Sequence, residues 1–115
     1  MKVIIAGSRT IKNLDDVVEA VRLSDFVIDE VVSGTARGAD QLGEQYADIL
    51  GIPIKRMPAD WNKYGRSAGI KRNEEMGKYA DALVAIWDGR SKGARHMIDF
   101  MTKIGKPNFV YIVKW

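Results

Sequence analysis

The sequence predicts a doubly wound, Rossmann-like α/β domain: a parallel five-stranded sheet in the order 3-2-1-4-5 with helices on both faces. Short apolar runs alternate with helical patterns along the whole chain, which is the rhythm of strand-crossover-strand units. The run from Ala82 to Trp87 is almost continuously apolar, as a central strand covered on both faces must be. The 115 residues are enough for one domain, 1–115, and no stretch reads as a linker or an internal repeat.

The elements follow in order. Lys2 to Ala6 is a buried strand that runs into Gly7-Ser8-Arg9-Thr10. Asn13, with Asp16 three residues later, is a helix N-cap, and Leu14, Val17, Val18 and Val21 share one face of the helix after it. Glu30 to Ser33 is the second strand. Ala39, Leu42, Gly43, Tyr46, Ala47 and Leu50 keep helical spacing, and Gly51 closes that helix. Ile52 to Met57 is a third strand; Pro53 within it and Pro58 behind it place it at a sheet edge. Residues 58–68 read as irregular chain before a helix over 69–79. After the strand Ala82 to Trp87, a helix carries Ala94, Met97, Ile98 and Met101 on one side and stops at Gly105-Lys106-Pro107. Asn108 to Val113 is the last strand.

Composition excludes several chemistries. With no cysteine there is no disulfide, thiolate metal site or cysteine nucleophile, and with His96 as the single histidine a zinc site is not expected. No metal and no resident cofactor are expected. The first apolar run ends at Gly7, too short for a signal peptide or a membrane span, so the expected location is cytoplasmic. The formal charge of +3 suits an anionic ligand and is too small to argue for nucleic acid.

In sheets of this topology ligands bind beyond the carboxyl ends of the strands, where the strand order reverses. The loops Gly7-Ser8-Arg9, Gly34 to Asp40 and Asp88 to Gly93 are therefore expected to converge. Gly34-Thr35-Ala36-Arg37-Gly38-Ala39-Asp40 joins a strand to a helix. Its glycines permit close backbone approach to an oxyanion, and Arg37 offers a charge-assisted, two-pronged contact to phosphate. It is neither a Walker A loop nor G-x-G-x-x-G. Ser8 and Arg9 are placed to orient a ribose or a second anion. Asp88 is open to two readings, an acceptor for ribose hydroxyls or a cap for the helix after it. Asp60-Trp61, with Lys63, Arg66, Lys71, Arg72 and Asn73, surrounds a helix start with cations and an aromatic plate suited to a base. His96 reads as structural, and Met97 and Met101 as core.

Taken together, Gly7-Ser8-Arg9, the loop from Gly34 to Asp40, Ala59-Asp60-Trp61, Arg72-Asn73 and Trp87-Asp88-Gly89-Arg90-Ser91-Lys92-Gly93 resemble the YspA-like (YpsA-related) branch of the SLOG superfamily over nearly the whole chain. The resemblance implies a Rossmann-like sheet that binds nucleotides or their derivatives. The superfamily also holds the lonely-guy phosphoribohydrolases and the DNA-processing protein DprA. Lonely-guy enzymes carry P-G-G-x-G-T-x-x-E, and the corresponding stretch here is Gly89 to Met97. Ala94 replaces the threonine, and Met97, with no acid–base capacity, replaces the glutamate.

The expected function is therefore binding of a nucleotide-like phosphorylated ligand, as a sensor or sequestering module. Gly34, Thr35, Arg37 and Gly38 would hold phosphate with Ser91, Lys92 and Gly93 as a second donor loop. Gly7, Ser8, Arg9, Asp40, Asp88 and Gly89 would surround the ribose or a further phosphate, and Trp61, Arg72 and Asn73 would close the site. Two alternatives stand beside it. One is a nucleotide N-glycosidase using Asp40, Asp60 or Asp88. The other is single-stranded nucleic-acid binding along Lys63 to Arg72. By analogy with SLOG relatives, the apolar helices are expected to form a homodimer or higher homo-oligomer.

Overall fold

The computed structural model describes residues 1–114. Its elements are β1 (Lys2–Gly7), α1 (Leu14–Ser24), β2 (Glu30–Ser33), α2 (Ala39–Leu50), β3 (Ile54–Arg56), α3 (Trp61–Tyr64), a 3₁₀ turn (Gly65–Ser67), α4 (Ala68–Tyr79), β4 (Ala82–Trp87), α5 (Lys92–Lys103) and β5 (Asn108–Ile112). The sheet is parallel throughout, in the order β3-β2-β1-β4-β5, as the sequence predicts.

Because successive strand residues point to opposite faces, β1 and β4 each feed two cores. Val3, Ile5, Val84 and Ile86 pack with Val17, Ala20 and Val21 of α1 and Ala39 and Ala47 of α2. Ile4, Ala6, Leu83 and Ala85 pack on the other face with Met76 of α4 and Met97 and Met101 of α5. The helices come close through small residues. A Cβ on Gly43 would stand 2.7 Å from the Ile5 side chain, so glycine there sets the spacing of α2 on β1.

Some details differ from expectation. Strand β3 is shorter than the predicted 52–57, although Pro53 and Met57 still flank it with one backbone bond each to β2. The segment expected to be irregular contains α3 and the 3₁₀ turn. Asp60 caps α3 by accepting from the Lys63 N–H at 3.0 Å, which shields an otherwise unpaired donor. Val18, about 100° round the helix from Val17, is 44% exposed, and Leu50 in the last turn of α2 is 57% exposed. The buried stripe of α1 is Val17, Ala20 and Val21 instead.

Candidate functional site

Ser8 is the point where the three strand-end loops meet. It is fully buried, and its N–H donates to the Ile86 carbonyl at 2.9 Å. Its hydroxyl accepts from the Asp88 N–H at 2.9 Å, and its carbonyl accepts from the Ala39 N–H at 3.2 Å. The loop before α2 can come this close because of Gly38, which has φ +77° and whose Cβ would stand 2.4 Å from the Ser8 oxygen. Ser8 and Gly38 thus hold loops together, and the Ser8 hydroxyl is engaged inside the protein rather than turned toward a ligand.

Around this junction lie three adjoining hollows. A narrow cleft of about 80 Å³ is bordered by Gly7, Arg9, Asp40, Arg72, Asn73, Ser91 and Gly93 and floored by Ala6, Met76, Ala94 and Met97. On one side a lobe of about 290 Å³ is lined by Gly34, Thr35, Pro58, Ala59 and the exposed Trp61. On the other, a lobe of about 240 Å³ is lined by Arg66, Lys92, Gly93 and His96. Arg9 and Arg72 border all three.

Arg72 is held in place by two bonds of its own. Nη1 donates to the Gly34 carbonyl at 2.5 Å and Nε to Asn73 Oδ1 at 3.1 Å. Arginine has no acceptor, so the oxygen of the Asn73 amide faces it and Nδ2 faces the Gly93 carbonyl at 3.3 Å and His96 Nδ1 at 3.2 Å. His96 Nδ1 therefore accepts, and the ring proton sits on Nε2. Although the sequence reading makes His96 structural, it lines the cationic lobe one helical turn beyond Gly93. That i, i+3 spacing on α5 is the signal that places both on the cleft side.

Arg37 is placed differently from its expected role. It is exposed and borders none of these hollows. Thr35, the residue two before it, adopts φ +64°, an uncommon conformation for a β-branched residue. Its N–H donates to Ser33 Oγ at 3.1 Å, and the Ser33 hydroxyl donates to Glu44 at 2.6 Å. This turn brings Gly34, Thr35 and Ala36 to the cleft and leaves Arg37 outside.

The carboxylates divide into separate environments. Asp88 accepts from the Ser91 N–H, the Arg90 N–H and the Thr10 hydroxyl, each at 2.8 Å. The Ser91 and Arg90 amides foremost hold its carboxyl down to about 2. Asp88 shapes the turn at Gly89 (φ +81°) that leads into α5, while the cap of that helix is Ser91, whose hydroxyl accepts from the Ala94 N–H at 3.4 Å. Asp60 caps α3 and faces a different hollow with Lys63 and Lys71. Asp40 alone borders the cleft. It is 4% exposed, and burial pushes it up to about 6 against the opposing pull of the Ala36 N–H and Arg72.

Asp40 also occupies the first turn of α2, while the Ala39 N–H is engaged with Ser8, so this helix start already faces the protein's own acceptors. At the other helix start, Ser91 and Gly93 of α5 border the cleft. The raised value of Asp40 carries a pH prediction. Its proton is held more tightly in the folded chain than in the unfolded one, so the associated stability is present below about 4 and is lost as pH rises through about 6. The expected loss is of order 2–3 kcal/mol. Urea unfolding of Asp40→Asn across pH 4 to 7 should show this slope flattened relative to the parent. An identical slope would mean that Asp40 titrates normally.

A family model described as YspA, cpYpsA-related SLOG family matches residues 1–64, which is over half the chain. The chain belongs to this SLOG family. The matched part of the SLOG domain runs from β1 through α3 and contributes Arg9, Thr35, Asp40 and Trp61 to the site. The domain is also similar to the Gene 61 protein of Mycobacterium phage D29, with 34% identity over 116 residues and 92% of each chain covered. No solved structure matches it. Among the described residues, no helix of the SLOG domain is long and apolar enough to cross a membrane, and no three metal-ligating side chains are gathered together.

Proposed function

We propose that this SLOG domain binds a nucleotide or nucleotide-derived phosphorylated ligand beyond the carboxyl ends of β1, β2 and β4, as a sensor or sequestering module. The observation that carries the reading is the pair Arg9 and Arg72. Both border every part of the cleft, and neither forms an ion pair among the described residues. Arg72 is half-buried; burial, and to a lesser degree the charge of Arg9, favour its neutral form, while Asp40 opposes this. Two unpaired guanidinium groups beside a helix start, next to an exposed indole, suit a phosphate joined to a stacking base.

A second reading, hydrolysis of a nucleotide N-glycosidic bond, is favoured by one feature. Asp40 is a carboxyl near pH 6 facing the cleft, in the range useful for proton transfer. Against it stands Met97, which lines the cleft floor at the position where the lonely-guy enzymes have their glutamate.

Equilibrium dialysis of the protein against nucleoside monophosphates and diphosphates, with both compartments read by mass spectrometry, separates the two. A nucleotide enriched unchanged on the protein side is the expected result. Free base and ribose phosphate accumulating with time would replace binding by hydrolysis, and absence of any enrichment or breakdown would overturn both.

A further inference from the structure

Within the reading just given, the lobes flanking Arg9 and Arg72 have different chemistry, and the difference specifies the ligand. The lobe bordered by Trp61, Pro58, Ala59 and Thr35 contains an exposed indole, a proline ring and a small side chain; apart from the two shared arginines it carries no ionisable group. It suits a flat, uncharged ring. The opposite lobe, walled in part by Gly69 and the exposed Ile70, adds Arg66 and Lys92 to the shared arginines, so that four cations border it and no carboxylate does. In a chain whose Lys and Arg exceed Asp and Glu by only 18 to 15, four cations around one hollow without an acid mark a local segregation of charge. His96 stands in the same lobe, its Nδ1 engaged by Asn73 and its Nε2–H left as a donor.

A nucleoside monophosphate with its base over Trp61 and its phosphate between Arg9 and Arg72 would leave Arg66, Lys92 and His96 without a partner. We infer that the site takes a nucleotide with at least two linked phosphates. The base lies in the Trp61 lobe, the first phosphate lies between Arg9 and Arg72, and the second lies in the lobe of Arg66, Lys92 and His96. Each part of such a ligand meets the chemistry it needs: stacking surface, the shared arginines, then the cationic lobe.

Isothermal titration calorimetry with the mono- and diphosphates of adenosine, guanosine, cytidine and uridine tests this, using the parent protein and the double variant Arg66→Ala, Lys92→Ala. For the base that binds, the diphosphate is expected to bind at least about tenfold more tightly than the monophosphate, the scale of one charge-assisted contact. In the double variant that ratio should collapse toward one, because diphosphate affinity falls much more than monophosphate affinity. Both exchanged residues are exposed, and coincident thermal melts of parent and variant verify that the fold is intact. Equal affinity for both forms, a preference for the monophosphate, or a ratio unchanged in the variant would overturn the two-phosphate assignment while leaving a nucleotide site standing. If no nucleotide of either class binds the parent, the nucleotide reading itself fails, and this inference with it.

Discussion

Gly7→Ala is expected to abolish the native fold, or to cost at least about 4 kcal/mol, a loss comparable to the whole stability of many small domains. The added Cβ would stand 1.8 Å from the Ile86 carbonyl oxygen and 2.7 Å from its carbon. Neither is a flexible side chain that can turn aside. Ile86 belongs to β4, hydrogen-bonded to β1 on one side and β5 on the other, and its carbonyl accepts from the Ser8 N–H. Relief of the clash would have to separate the two central strands where the cleft begins. Urea unfolding followed by far-ultraviolet circular dichroism measures the effect. Gly93→Ala, where a Cβ would meet open space, serves as the control and should shift stability by no more than about 1 kcal/mol. A Gly7→Ala protein as stable as the parent would contradict the pairing of Gly7 with Ile86.

The second large effect is on binding. Arg72→Ala should weaken the nucleotide by about 2–4 kcal/mol, roughly 30- to 1000-fold, because a charge and a fixed fork of donors are lost together. Arg72→Lys should recover only a small part. An ammonium restores the charge but cannot bond the Gly34 carbonyl and Asn73 while presenting a planar face to phosphate. Arg37→Ala should change affinity by less than about threefold, as for an exposed charge beyond close contact. Calorimetric titration of the three variants ranks them directly. A large loss with Arg37→Ala and none with Arg72→Ala would reverse the assignment and return the phosphate to the loop before α2.

The contrast between those arginines shows what could be read from the chain. The strand order, the two-faced burial of β4 and the meeting of three loops follow from periodicity and topology, which act on the backbone and are written locally. Which side chains turn inward is decided elsewhere. Arg37 is carried outward by the unusual backbone of Thr35, and that turn depends on Ser33 and Glu44, eleven residues apart. Asp88 is taken up by Thr10, 78 residues away, as well as by its own turn. Asp40 reads in sequence as a ligand contact or a catalytic carboxylate, and what spacing does not show is its burial in the first turn of α2 beneath Gly34, which pushes it up to about 6. That His96 lies beside Arg66 and Asn73 could not be read from spacing, because those residues come from a different helical region. The Asp60 cap has no counterpart in the sequence reading, because a four-residue helix is too short to leave a periodic pattern.

The junction at Ser8 also bears on how occupancy could be communicated. One residue ties the ends of β1 and β4 and the start of α2 into a single hydrogen-bonded knot, so neither the end of β4 nor the start of α2 can shift without breaking its bonds to Ser8. A ligand landing there meets a rigid floor and has little disorder to remove. The rim is built otherwise: α3 and the 3₁₀ turn after it bury no residue, and Gly65 at their junction has φ +55° with open space around it. Any change that a ligand causes would therefore be expected in residues 61–67, around Trp61, and not in the sheet beneath them.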